Sequence, residues 1–261
     1  MTVILLYLLL GSLSGTLAGL LGIGGGVVLV PGLAAIFSYF ADGSNVMQMA
    51  TGTSLGIIAF TSIISCRSHY KRGAVDFSIV KKIFFYIVFG VFLGSRVSYL
   101  IKSEVLEIVF ALFLLFVSYK MVFTKVNKKN DSSETTFKLG MIDRLICLII
   151  GLKSGLLGIG GGSMSVPYLV YRSIDVRKAI GTSALIGLTL SWVGALSHIF
   201  IGYQNSGSFH HGINLVALCS VAPMSMIFAP IGVKLSHALP VLTLRRFFGA
   251  FVFIVAVKMI L

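Results

Sequence analysis

The chain has 261 residues, 57% of them hydrophobic and only 11% charged, and a mean hydropathy of +1.00. Soluble domains run near about a quarter charged, so these values exclude an ordinary soluble enzyme or binding domain and describe an integral membrane protein. The formal net charge of +13 would suit nucleic acid, but Lys and Arg fall in short connectors and span ends, as membrane topology places them, and no nucleic-acid partner is expected.

In chain order, the first apolar segment covers 2–20. Its start, "MTVILLYLLLGSLSG", has an apolar core without a basic leader, and is read as a retained span rather than a cleaved signal. Further segments follow at 26–39, 46–65, 78–100 and 104–123. A polar stretch, "KVNKKNDSSETTFK", then breaks the hydrophobic pattern and is expected to be a linker, 126–138. After it come 140–157, 162–172, 176–201, 212–235 and 241–261. The fold class is therefore all-α, a polytopic membrane protein with eight long helices and up to ten segments.

The second five segments repeat the first five. "LGIGGG" occurs at 21–26 and at 157–162; Gly15, Gly19, Gly22 and Pro31 map onto Gly151, Gly155, Gly158 and Pro167 with one offset of 136. "TGTSL" at 51–55 pairs with "IGTSA" at 180–184, and Ser68-His69 with Ser197-His198, at an offset of 129; "GSRVS" at 94–98 pairs with "GVKLS" at 232–236 at an offset of 138. Residues 1–125 are thus expected to be one transmembrane repeat and 139–261 the other, as in many secondary transporters.

Basic residues give the orientation. The connector near 40–46 has no Lys or Arg, whereas its counterpart carries Arg172, Arg177 and Lys178; in the next pair the bias reverses, with Arg67, Lys71 and Arg72 in one and none at 202–212. Corresponding connectors then lie on opposite sides of the bilayer, and the repeats are inverted. On this reading the linker faces the cytoplasm and both termini face outside, with Arg96 and Lys102 against the trend.

The second segment of each repeat is too short for an upright span of about 20 residues. Each is expected to form a broken or re-entrant hairpin with its predecessor, with "GIGGG" at the tip. Backbone that leaves the helix at membrane depth is tolerated only inside protein or beside a wet cavity. A helix restarting there presents free N–H groups and a positive dipole end, which favour an anion. Gly24, Gly25 and Gly26, with Gly160, Gly161, Gly162 and Ser163, are accordingly candidate binding residues. The alternative is that these glycines only let helices pack closely. Nucleotide-binding loops are excluded: Val27-Val28 and Ser163-Met164 stand where a Walker A loop needs Lys-Ser/Thr, and G-x-G-x-x-G would need Gly at 27 or 163.

Thr53 and Thr182 recur in the repeat, among Thr51, Ser54 and Ser183, and either line a pathway or bond back to their own helices or across to a neighbour. Lys153 lies in the apolar "LICLIIGLKSGLLG", with Leu17 at the matching position. An ionisable residue within a span is a functional candidate, here a substrate ligand, unless it snorkels or pairs with a carbonyl. All eight acids lie in connectors or near span ends, which favours an anionic substrate over a cationic one. His69 and His198 are candidates for gating or proton transfer, or are interfacial. Cys66, Cys147 and Cys219 show no metal-ligand spacing, so no metal, cofactor or disulfide framework is expected.

The pattern "GTLAGLLGIGGGVVLVP" with "GLKSGLLGIGGGSMSVP", each followed by a "GTS" helix, resembles the sulfite exporter TauE/SafE family of bacterial membrane transport proteins over essentially the whole chain. The resemblance implies export or uptake of a sulfur-containing anion such as sulfite, sulfoacetate or a related organosulfonate, with the permeation centre at the Gly/Pro motifs. The sequence is therefore read as an inner-membrane secondary transporter for small anions working by alternating access, not an enzyme. The absence of an ATP-binding motif leaves coupling to an ion gradient or to substrate flow. A passive channel for small anions or neutral solutes is the alternative.

Overall fold

The computed structural model of the protein describes residues 2–21, 25–40, 45–123, 139–206, 212–238 and 241–260. Gly24 and the expected linker at 126–138 lie outside the described residues. Among the described residues there are ten helices and no strands: α1 (Thr2–Leu21), α2 (Gly26–Phe40), α3 (Val46–Lys71), α4 (Phe77–Leu100), α5 (Ser103–Phe123), α6 (Met141–Leu157), α7 (Gly162–Tyr171), α8 (Val176–Ser206), α9 (Leu215–Ala238) and α10 (Val241–Ile260). Five stretches among them are long and apolar enough to cross a membrane: Thr2–Gly19, Val46–Lys71, Phe77–Leu100, Val176–Asn205 and Leu215–Gly232. Large apolar side chains such as Phe85, at 78% exposed, and Leu100, at 79%, point outward, as a lipid-facing surface demands.

The helix boundaries have local causes. Asp76 caps α4, its carboxylate accepting from the Ser78 and Ile79 N–H groups at 2.9 and 3.3 Å. Asn214 starts α9 by accepting from the Ala217 N–H at 2.9 Å, which places that helix three residues later than the hydrophobic pattern suggests. The polar ends "CRSHYK" and "GYQNS" remain helical, so α3 and α8 overrun the expected 46–65 and 176–201. Neither stretch contains a proline, the residue most unfavourable in a helix interior. At 15 and 10 residues, α2 and α7 are about 22 and 15 Å long, short of a hydrocarbon core of about 30 Å.

Close contacts fix the helix directions. α1 lies against α9 with Gly11 over Val221 and Gly15 over Ser225, and α4 lies against α6 with Gly90 over Leu148 and Gly94 over Leu152. Both pairs therefore run parallel, and small residues bring the backbones together. α3 and α8 are antiparallel, with Gly52 beside His198 and Leu55 beside Gly194. α5 meets α10, where the Ser118 hydroxyl donates to the Gly249 carbonyl at 2.8 Å. Because the α3–α4 turn reverses the chain, α1 and α6 run in opposite directions. The hairpin α1–α2 thus enters from one face and α6–α7 from the other. Arg67, Lys71, Arg72, Arg172, Arg177 and Lys178 collect at the face from which α6 enters, called the basic face below; among the described residues the opposite face carries fewer charges, Arg96 and Lys102 among them.

Packing crosses the sequence halves. One apolar core joins α1, α2, α5, α9, α10 and the first part of α3. A second joins α4, α6, α7 and α8. Leu157 and Ile159, at the end of the α6 hairpin arm, belong to the first core, although Cys147 and Ile150 on the same arm belong to the second.

Candidate functional site

The two glycine tips meet inside the protein. Gly26, the first residue of α2, is so close to the second tip that a Cβ there would lie 2.8 Å from the Gly158 carbonyl oxygen and 2.9 Å from Ile159 Cα. Gly158 itself has φ of +68°, a left-handed conformation that costs other residues about 1–2 kcal/mol. A Cβ on it would also strike Thr51 at 2.8 Å. Only glycine satisfies both conditions, and the turn lets α6 stop in mid-protein, with the Gly158 N–H bonding back to the Ser154 carbonyl at 2.9 Å.

Hydroxyls from two elements hold the second tip. Ser54 on α3 donates to the Gly158 carbonyl at 2.9 Å, and Ser154 on α6 to the Ile159 carbonyl at 2.8 Å. Gly160 lies against Ile58 and Gly161 against Leu190 and Ile186. The Gly161 carbonyl accepts from the N–H groups of Met164 and Ser165 at 3.2 and 2.9 Å, which starts α7 at Gly162 without a side-chain cap. In the first tip, the Gly25 carbonyl plays the same part for Val28 and Leu29 at 3.0 and 2.9 Å. Pro31 and Pro167 lie inside α2 and α7. Each lacks the N–H that would bond the carbonyl four residues earlier, that of Val27 and of Ser163.

Lys153 is the charged group nearest this junction along the chain. It is 8% exposed, donates to the Ser163 hydroxyl at 2.7 Å across the hairpin, and has its ammonium 4.8 Å from the centre of the Phe113 ring on α5. Neither contact carries a full negative charge. The N-terminal end of α7, where Ser163 is the second residue, adds a partial positive charge of up to about half a unit. Asp143, the carboxylate on α6, is ten residues away and otherwise engaged. It accepts from the Tyr168 hydroxyl at 3.0 Å and from the Gly140 N–H at 2.8 Å, and pairs with Arg172 at 3.4 Å. Those contacts tie the start of α6 to the end of α7, so both arms of this hairpin begin and end at the basic face.

The remaining candidates are placed differently from one another. Thr53 accepts from the Asn214 N–H at 2.9 Å and donates to the Met49 carbonyl at 2.6 Å. Thr182 accepts from the Asp76 N–H at 3.0 Å. These bonds are reciprocal: each threonine holds the residue that begins the fourth helix of the other half. Both threonines are fully buried, and neither is brought to Lys153 by a hydrogen bond. His69 is half-buried in the last turn of α3. His198, its sequence counterpart, is fully buried, with Nε2 2.9 Å from the Gly155 carbonyl. The equivalence of the two histidines in the repeat does not extend to their surroundings.

Sequence reasoning did not single out Ser154 or the Asp143–Tyr168–Arg172 group. Ser154 is adjacent to Lys153 and within a run of small residues, a signal that was available. The Asp143 group joins residues 25 and 29 positions apart, and no local pattern announces it.

Known proteins fit this arrangement. The family model described as Sulfite exporter TauE/SafE matches residues 7–259. A probable membrane transporter protein of Haemophilus influenzae is 33% identical over 264 residues, covering 100% of this chain and 99% of its own. The probable membrane transporter protein YunE of Bacillus subtilis is 30% identical over 77% of this chain and 80% of its own. The probable membrane transporter protein MJ0441 of Methanocaldococcus jannaschii is 27% identical over 98% and 95%. No solved structure matches the chain. With a family match over nearly its whole length and a relative of equal extent, the chain belongs to the sulfite exporter TauE/SafE family and is a multi-pass membrane transporter.

Proposed function

We propose that the protein is an inner-membrane secondary transporter for small anions, sulfite or another sulfur oxyanion or organosulfonate, working by alternating access between two inverted repeats. The observation that carries this reading is Lys153. Its ammonium is buried beside the positive end of α7, and its contacts, Ser163 and Phe113, supply no compensating charge. Such an arrangement is unfavourable by itself and becomes favourable when an anion joins it. A small oxyanion would accept from the Lys153 ammonium, the Ser163 hydroxyl and backbone N–H groups at Gly160–Ser163. Gly25 and Gly26 would support it from the opposing tip.

Thr53 and Thr182 act in this reading as bonds between the halves. The collection of Arg and Lys at one face orients that face to the cytoplasm. Movement between the two apolar cores, with the second tip seated in one and its arms in the other, would provide the change of access. Among the described residues no carboxylate stands at the Lys153 end of the hairpin to serve a cation.

The test is thermal stabilisation of the purified protein by sulfite, thiosulfate, sulfoacetate, taurine, sulfate, chloride and a carboxylate, followed by flux in proteoliposomes. Saturable stabilisation by a sulfur oxyanion, absent in Lys153→Met and in the double variant Gly25→Leu/Gly161→Leu, supports the reading. Stabilisation by a neutral or cationic solute alone overturns the substrate class. Flux without counterflow exchange replaces the transporter by a channel.

A further inference from the structure

A second polar region lies apart from Lys153, toward the face opposite the basic one. There an open cleft of about 220 Å³ is lined by Asn45, Arg96, Tyr99, Leu100, Ile201 and Asn205. These residues come from the beginning of α3 and the ends of α4 and α8, which share that face. Arg96 is exposed, and one of its guanidinium nitrogens donates to Gln204 at 2.6 Å. The remaining donors of the guanidinium fork, with two asparagine amides, form a lining suited to a small oxyanion.

Beneath the cleft Tyr99 reaches a buried polar layer. Tyr99 lines the cleft, donates from its hydroxyl to the His198 carbonyl at 3.3 Å, and has its ring 5.6 Å from the imidazole. His198 in turn touches the Gly155 carbonyl, three residues before the turn at Gly158. Three side-chain atoms in this layer are buried without a hydrogen-bond partner: Gln48 Oε1, Ser95 Oγ and His198 Nδ1. They are linked through α4 and α6. Gln48 donates to the carbonyls of Ser98 and Ile101 at 3.0 and 2.8 Å, Ser98 donates to the Ser95 carbonyl at 2.7 Å, and Ser95 packs on Gly155, whose carbonyl meets His198. Buried polar atoms are ordinarily paired. Three bare ones in one layer, with Tyr99 seated on its His198, are a polar lining without a partner in this conformation.

We infer that this cleft is the outer vestibule of the transport path, a binding site for a small oxyanion centred on Arg96, and that Tyr99 seated on His198 is the closed barrier between it and the second tip. The anionic class of the ligand rests on the reading given for Lys153, and the outward position of the cleft on the placing of the basic face in the cytoplasm; the barrier rests on Tyr99, His198 and the bare polar atoms. Substrate waits at Arg96, and displacement of Tyr99 admits it to the layer of Gln48, Ser95 and His198.

The experiment uses the full chain in intact cells, with Cys219→Ser removing the exposed native thiol. A membrane-impermeant maleimide added outside should label Asn205→Cys, and sulfoacetate at about ten times its dissociation constant should slow that labelling about ten-fold. Arg96→Gln should abolish the protection. Ser95→Cys should be unreactive by itself and become reactive in Tyr99→Ala, with sulfoacetate protection of Asn205→Cys, made separately in the Tyr99→Ala background, reporting that the protein is folded. Absence of protection, or protection that survives Arg96→Gln, overturns the binding site. Equal reactivity of Ser95→Cys with and without Tyr99 overturns the barrier. Loss of Lys153-dependent stabilisation with protection intact would strike the deeper site and leave the vestibule standing; the reverse would strike the vestibule alone.

Discussion

The two hairpins follow one plan and are built of different chemistry. In α1–α2 the arms are joined by an edge-to-face contact of Tyr7 with Phe37, ring centres 6.5 Å apart, and Leu17 and Val27 stand where the other hairpin has Lys153 and Ser163. In α6–α7 the arms are joined by Asp143, Tyr168 and Arg172, and the space nearer the tip is bridged by the ammonium and the hydroxyl. The shared glycines and prolines make the backbone shape; the differing side chains decide what it can bind. Duplication therefore conserves a scaffold, while one copy alone carries the buried charge.

The sharpest way to break that contrast is to remove the charge. Lys153→Met should leave the protein folded, since methionine fills the volume among apolar neighbours, and should reduce anion flux by about 100-fold or more, as loss of a buried, charge-assisted contact worth about 3 kcal/mol would. Moving the charge to the other hairpin with Leu17→Lys in that background should not restore flux, because Val27 offers no hydroxyl. Restoration would make the hairpins interchangeable.

Next in size is Gly158→Ala, which combines a left-handed residue with the contact on Thr51. A loss of about 2–4 kcal/mol in stability is expected from strain and overpacking together, read as a lower unfolding temperature in detergent. Asp143→Asn should cost less, about 1–2 kcal/mol, because the Arg172 side chain is 34% exposed and water screens the pair. Phe37→Leu, the corresponding lesion in the apolar hairpin, should cost about 1 kcal/mol and show no dependence on salt. The salt dependence is the measurement that separates the two.

The smallest effects sharpen the comparison from the opposite side. Thr53→Val and Thr182→Val each remove the hydroxyl that holds an N–H of the other half, and each should lower stability by about 1 kcal/mol without changing anion affinity. Similar values are expected because each bond joins a threonine of one half to the backbone N–H at the start of the fourth helix of the other. A change in affinity for either variant would return that threonine to the substrate path.

Much of the fold was legible in the sequence, for reasons that differ by feature. Hydropathy marks the segments, because lipid enforces it residue by residue. The repeated "LGIGGG" and the shortness of the segments after it mark the tips, and the alternating Lys and Arg bias marks the direction of each half. The register of the packing was not legible: nothing near Gly15 points to Ser225, nor near Gly90 to Leu148, since small residues permit many partners. For the site, Lys153 stood out as a charge in an apolar run, and its bond to Ser163 follows from the hairpin. For Thr53 and Thr182 the sequence left two readings open, because a hydroxyl that lines a path and one that bonds across an interface look alike in sequence; the structure shows the bonds to Asn214 and Asp76. The depth of His198 was hidden, since its counterpart His69 is near a surface.

The contact of α1 with α9 also sets a schedule for making the protein. Gly11 and Gly15 find their backbone partners at Val221 and Ser225, residues translated long after them. A nascent α1 therefore waits in the bilayer, its small-residue groove filled by lipid, until more than two hundred further residues have been inserted. Contacts of such sequence separation form late. Destabilising changes in α9 should accordingly appear in cells as degradation of an otherwise inserted chain, because they leave α1 without the backbone it packs on.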